Sequence, residues 1–148
     1  MSAELQRLVD ERAIEQCLIR FARAMDYRDW AAFDDLVCED ATAEMGTGLL
    51  HGRAAMVALM RQYLDHCGPT QHLLGNVLVS VDGDEATSHA YVHDLHLPAG
   101  GADAPTFHTL GDYHDRWRRI DGVWRMTSRV KDNRAHVGSL GVFGAAHE

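Results

Sequence analysis

Ten histidines in 148 residues make metal binding the first chemistry to consider. The chain contains no H-E-x-x-H and no H-x-H. His89 and His93 fall on one face of a strand-like segment, but four residues at about 3.3 Å each separate them by roughly 13 Å. One ion with bonds of about 2.0–2.1 Å to nitrogen does not span that gap. His93 and His96 point to opposite faces of the same segment. The other familiar reaction motifs are absent too: no G-x-S-x-G, no P-loop and no dinucleotide fingerprint leading into a βαβ unit. Cys17, Cys38 and Cys67 form no C-x-x-C pair and sit in apolar-periodic stretches, which reads as reduced thiols serving as small core residues. A metal site assembled from histidines distant in the sequence stays as the lesser alternative; the main reading is acid–base chemistry without a metal or cofactor. For that, a histidine oriented by a carboxylate suffices.

The elements that must position such a pair come in two blocks. In Glu11–Asp26 the residues Ile14, Cys17, Leu18, Phe21 and Met25 recur at helical spacing, with Ile19 and Ala22 widening the stripe. A second short helix is expected from Asp29, which would cap it, burying Trp30, Phe33, Leu36 and Val37. A third is expected from about Arg53 to His66, with Met56, Leu59, Met60 and Tyr63 on one face and Gly68-Pro69 as its stop. Residues 41–52 read as a short strand or hairpin. After that the pattern changes to four strand-length segments at 70–81, 85–97, 106–119 and 123–134. Asp82-Gly83-Asp84 and Asp121-Gly122 are hairpin turns between them, and Pro98 to Pro105 reads as a mobile loop. Helices first and an antiparallel meander afterwards predict one α+β domain spanning 1–148, with 135–148 as a tail or lid.

Strict alternation along 70–81 assigns Leu73, Val77, Val79 and Val81 to one face and His72, Leu74, Asn76 and Leu78 to the other. The second set is the mixed face expected of a cavity wall or of a half-exposed strand. The first set is too apolar for water, which predicts a homo-oligomer.

The net charge of −8 shows no basic nucleic-acid face, and no apolar run approaches the length of a membrane span. The charged opening MSAELQRLVDERAIEQ does not read as a signal peptide, so a cytoplasmic location is expected.

Ala24-Met25-Asp26-Tyr27-Arg28-Asp29-Trp30 followed by Phe33 resembles the end of the first helix in the nuclear transport factor 2-like superfamily, in its SnoaL-like branch. Gln71-His72-Leu73-Leu74-Gly75-Asn76 resembles that branch's histidine-bearing strand. Gly111-Asp112-Tyr113-His114-Asp115-Arg116-Trp117, Asp121-Gly122-Val123-Trp124-Arg125-Met126 and Arg129 resemble its last hairpin. The branch includes polyketide cyclases, scytalone dehydratase, bile-acid dehydratase and hexachlorocyclohexane dehydrochlorinase. The resemblance implies a cone-shaped barrel, a curved antiparallel sheet wrapped around the helices, and an oligomer, the trimer favoured over the dimer.

It also implies roles. At the matching positions His72 is the catalytic base and Asp26 the carboxylate that orients it; a cap at the helix end and a polar strand start are their plain structural alternatives. A carboxylate accepting one ring N–H fixes the tautomer and raises the basicity of the other nitrogen. Met25 and, approximately, Met45 stand where scytalone dehydratase has tyrosines, and Tyr27 is one position off, which points to a more apolar substrate. Tyr27, Phe33, Met45, Met56 and Met60 are candidate substrate contacts. So are Val142 and Phe143, from a tail that closes the pocket in the lyase relatives. Tyr91 and His93 are either secondary proton donors or outward-facing residues, and Arg129 matches a family arginine. The expected function is a cofactor-free, dehydratase-type lyase acting on a hydrophobic cyclic small molecule. An isomerase or polyketide-type cyclase, and a non-catalytic binding or assembly module, are the alternatives.

Overall fold

The computed structural model describes residues 1–100 and 105–144. Helix α1 runs Ala3–Asp26, opened by the Ser2 hydroxyl, which accepts the Leu5 N–H. It starts about three turns before the apolar stripe: the capped first turns leave Leu5, Leu8 and Val9 exposed and bury only Asp10. From Ile14 to Met25 the stripe packs into the core as its spacing predicts. The helix stops at Tyr27, and Arg28 turns the chain with a φ of 57°.

The second helix is reduced to a 3₁₀ turn at Trp30–Ala32 and a single turn, α2, at Phe33–Leu36. Asp29 makes no side-chain cap, and Val37 already begins a strand. Strands β1 (Val37–Glu44) and β2 (Leu49–His51) form the expected hairpin. Helix α3 (Arg53–Leu64) follows, burying Met56, Met60 and Leu64. Strands β3 (Thr70–Asp82), β4 (Glu85–His96), β5 (Phe107–Ile120) and β6 (Val123–Gly138) complete one sheet. A 3₁₀ turn at Leu140–Phe143 returns Val142 and Phe143 to the core. The loop expected to be mobile lies partly outside the described residues.

The strand order is β2-β1-β6-β5-β4-β3. All neighbours are antiparallel except β1 and β6, so the sheet is mixed, and β2 and β3 are its edge strands. The fold class is the expected α+β, but the wall is an open curved sheet, not a closed barrel.

Two β-bulges decide which side chains face the helices. In β3 the pairing slips between Gly75 and Leu78, with Asn76 at a φ of 51°. An extra residue inverts every side chain after it. His72 and Leu74 therefore share the inner face with Val77, Val79 and Val81, while Leu73 and Leu78 face outward. The apolar outer stripe read from strict alternation does not form, and the oligomer argument built on it lapses. In β6 a slip opposite Arg116/Trp117 sets Trp124 and Met126 inward before it, and Arg129 and Lys131 inward after it.

Arg129 is wholly buried, forms a two-pronged bond to Asp115 at 2.8 and 2.8 Å, and lies 4.1 Å from the Phe21 ring centroid and 3.6 Å from that of Tyr113. It ties α1 to β5 and β6 and does not line the cavity. Asp10 does the same nearer the start of α1, accepting from Arg119 at 2.6 Å and from the Trp124 indole at 3.0 Å.

Removing one partner of a buried pair strands the other charge. Arg129→Leu should cost about 3–5 kcal/mol of stability, and adding Asp115→Leu should recover much of that loss. Urea unfolding of the single and double variants measures both.

Candidate functional site

A cavity of about 300 Å³ lies between the inner face of the sheet and helices α1 and α3. Met25 and Leu64 close its helical side, with Leu59, Met60 and Tyr63 from α3. The sheet contributes His72, Asp94, His96, Thr109, Tyr113 and Lys131. Phe143 reaches in from the C-terminal turn, its ring 4.9 Å from His96, 5.2 Å from Tyr63 and 5.4 Å from Phe107.

Asp26 stands at the last residue of α1, where it meets the start of β3. One carboxylate oxygen lies 2.7 Å from His72 Nδ1 and accepts the Thr70 hydroxyl at 2.9 Å; the other accepts the His72 main-chain N–H at 3.0 Å. The Arg28 guanidinium braces this junction. It donates to Thr70 Oγ1 at 2.8 Å and to the carbonyls of Met25, Leu64 and Gly68 at 2.7, 3.0 and 2.8 Å. Burial opposes ionisation of Asp26, yet the bonds from the His72 ring and main chain, together with Thr70, outweigh it and lower its pKa below the usual carboxylate value. An ionised Asp26 accepts a proton-bearing Nδ1, which leaves Nε2 of a neutral ring as the basic nitrogen.

Beside this pair is a group that strand spacing did not reveal. Asp94 is the cross-strand partner of both His72 and Thr109, and His96 faces the same side two residues on. One ligand atom from each of His72, Asp94 and His96 lies within 4.8 Å of the others. Asp94 is committed elsewhere: it accepts the Thr109 N–H at 3.0 Å, the Thr109 hydroxyl at 2.7 Å and the Lys131 ammonium at 2.6 Å. The Lys131 ammonium already neutralises this carboxylate and would repel a cation beside it, so this donor set suits a hydrogen-bonding ligand better than a metal ion. His96 Nδ1 lies 3.2 Å from the Phe107 carbonyl. Burial, reinforced by the neighbouring His72, outweighs the attraction of Asp94 and lowers the His96 pKa to about 4. Burial also pushes the Tyr113 phenol upward.

Of the residues singled out from sequence, His72, Met45, Met60 and Phe143 line this cavity, and Asp26 stands directly behind His72. Phe33 and Met56 are core residues beneath it, and Val142 is buried next to Phe143 without lining it. Tyr27 is 76% exposed and lines a second groove, of about 460 Å³ between α1 and β3, whose walls also include Asp26 and His72. Tyr91 and His93 lie on the outer face, His93 stacked with His108 at 5.9 Å, so neither reaches His72 from the cavity side. The three cysteines are free, and burial raises each thiol pKa, as suits core residues. Among the described residues, no helix is long and apolar enough to cross a membrane.

The model of the SnoaL-like domain matches residues 6–130. The chain belongs to the SnoaL-like family. Its relatives include an uncharacterised protein of Mycobacterium tuberculosis, Rv2910c, 30% identical over 82% of this chain and 84% of that one. Its solved neighbours have the nuclear transport factor 2-like fold. Hexachlorocyclohexane dehydrochlorinase LinA-type3 from Novosphingobium barchaimii superposes with a TM-score of 0.80 at 20% identity, covering 94% of this chain and 96% of that one. A protein described as a proposed scytalone dehydratase from Novosphingobium aromaticivorans superposes with a TM-score of 0.80 at 22% identity, covering 88% of each.

The depressed pKa of His96 gives this SnoaL-like fold a specific acid sensitivity. Between the unfolded value near 6.5 and about 4, the unfolded chain binds a proton that the folded chain refuses, so stability falls as pH drops through that window. The full loss should be on the order of 3 kcal/mol. His96→Gln should flatten the fall in melting temperature over that range, which calorimetry at stepped pH measures.

Proposed function

We propose that this chain is a cofactor-free lyase of the dehydratase type, in which His72 takes a proton from carbon and Asp26 orients and charges the pair. The observation that carries this reading is the 2.7 Å contact of His72 Nδ1 with an ionised Asp26, on the wall of a largely apolar cavity. Asp26 stabilises the imidazolium that forms when Nε2 takes the proton. Loss of water or halide from the neighbouring carbon then completes an elimination. The cavity volume is near the lower end for small-molecule sites and suits a compact cyclic substrate. Enzymes of elimination chemistry among the fold's neighbours support the reaction class by analogy only.

An isomerase or cyclase would use the same base and retain the leaving group. Against a non-catalytic module stands the cavity itself, which holds an oriented imidazole where a scaffold would place packed side chains.

On a panel of cyclic β-hydroxy ketones and chlorinated cyclohexanes, His72→Ala should lower kcat by roughly 10²–10⁴-fold. Asp26→Asn should cost a comparable factor, because an amide can hold the ring in the wrong tautomer. It should also cost about 1–3 kcal/mol of stability, since an amide N–H must then face a donor that the carboxylate accepted. Two active variants that merely melt earlier would make both residues structural. Phe143→Ala should raise KM and leave kcat within a few-fold, because it removes cavity wall but no proton-transfer group; steady-state kinetics on the best substrate separates the two constants.

A further inference from the structure

Lys131 is a cation placed in the wall of a largely apolar cavity, and its hydrogen bonds leave part of it free. The β6 bulge turns its side chain inward, and Gly111 on β5 makes room for it. A Cβ at Gly111 would lie 3.1 Å from Lys131 Cε and 3.0 Å from a Val92 methyl, tighter than ordinary contact. An ammonium has three N–H donors. One is donated to Asp94 at 2.6 Å and a second to the Thr109 hydroxyl at 3.2 Å, whose own proton goes to Asp94. Among the described residues the third has no acceptor. Asp94 is completely covered, whereas the Lys131 side chain keeps 13% exposure and lines the cavity. The carboxylate thus holds the cation from behind and the cation presents a donor forward.

His72 lies on the same row of the sheet, since Asp94 is its cross-strand partner and a His72 ring nitrogen is within 4.8 Å of the Asp94 carboxylate. A proton acceptor and a cationic N–H donor therefore face one small volume. From this juxtaposition we infer that Lys131 is the oxyanion-binding residue of the site, and that the substrate is an enolisable carbonyl compound with a leaving group on the β carbon. The inference rests on His72 being the base. When His72 Nε2 takes the α proton, the C–H electron pair forms a carbon–carbon double bond and the carbonyl pair moves onto oxygen, beside Nζ. Collapse of that enolate restores the carbonyl, forms the α,β double bond and expels the β hydroxyl. The hydroxyl leaves as water with the proton held by His72. Lys131 stays protonated throughout and stabilises the charge that develops in the transition state. A chlorinated hydrocarbon offers no oxygen to this donor and would leave it buried and unsatisfied, so the same group selects against it.

The probe is 4-nitrophenol, whose ionisation is read from its absorbance, with 4-nitroanisole as the isosteric compound that cannot ionise. The wild-type protein should bind the phenolate at least about tenfold more tightly than the phenol, lowering the bound probe's pKa by about one unit or more. His72→Ala should retain that shift. Lys131→Met alone leaves Asp94 without its counter-ion and endangers the fold, so Lys131→Met/Asp94→Asn, which removes both charges, is the decisive variant. It should bind phenol and anisole alike and should melt close to the wild type. An unshifted wild-type probe, a shift that survives in the double variant, a shift that vanishes in His72→Ala, or no saturable binding of the phenol would each overturn the assignment. Elimination activity that depends on His72 without any shift would overturn Lys131 alone. A shift that maps to Lys131, with activity indifferent to His72, would overturn the base and not the oxyanion site.

Discussion

The carboxylate of Asp26 joins the helical layer to the sheet at the one place where the cavity needs both. It ends α1 and accepts the main-chain N–H of His72 as well as bonds from the His72 ring and the Thr70 hydroxyl, so it fixes the start of β3 and the attitude of the imidazole together. Arg28 reinforces the junction from below by binding carbonyls at the ends of α1 and α3. A group with this many fixed donors is ionised because it is anchored, and the same ionisation selects the His72 tautomer. The joint between helix and strand and the orientation of the imidazole have a single electrostatic source.

The sheet supplies the rest by breaking its own alternation. Without the Gly75–Leu78 bulge, Val77, Val79 and Val81 would face away from the core, and the far half of β3 would have no apolar inner face. Without the slip in β6, Arg129 and Lys131 would point outward and lose Asp115 and Asp94. Each bulge gives up local ladder bonds to aim side chains that a regular strand would misdirect. Gly111 shows the same economy on β5, where the missing side chain leaves space for the Lys131 stem.

The resulting cavity is electrostatically graded. The Asp26 end orients the imidazole through its Nδ1. The Asp94 end holds the ammonium, and between them His96 is kept neutral by burial, so it adds no competing charge at ordinary pH. Phe143 packs its ring edge to face against Tyr63, His96 and Phe107 beside this polar seam.

The amino-acid sequence by itself determined the α+β class and the helices-then-meander order. The turns at Asp82-Gly83-Asp84 and Asp121-Gly122 and the apolar face of α1 were legible too, because spacing and turn chemistry are local properties. His72 and Asp26 became a pair only through resemblance, since 46 residues separate them and nothing in either segment announces the other. Asp94, His96, Thr109 and Lys131 carried no linear signal at all: they come from three strands and meet through cross-strand register. The outward fate of Tyr91 and His93, the structural role of Arg129 and the parity of β3 were likewise tertiary decisions. A one-residue bulge reverses a face while leaving composition and hydrophobicity almost unchanged, so the sequence pattern is nearly the same for either outcome. Only packing against the helices selects which of the two forms.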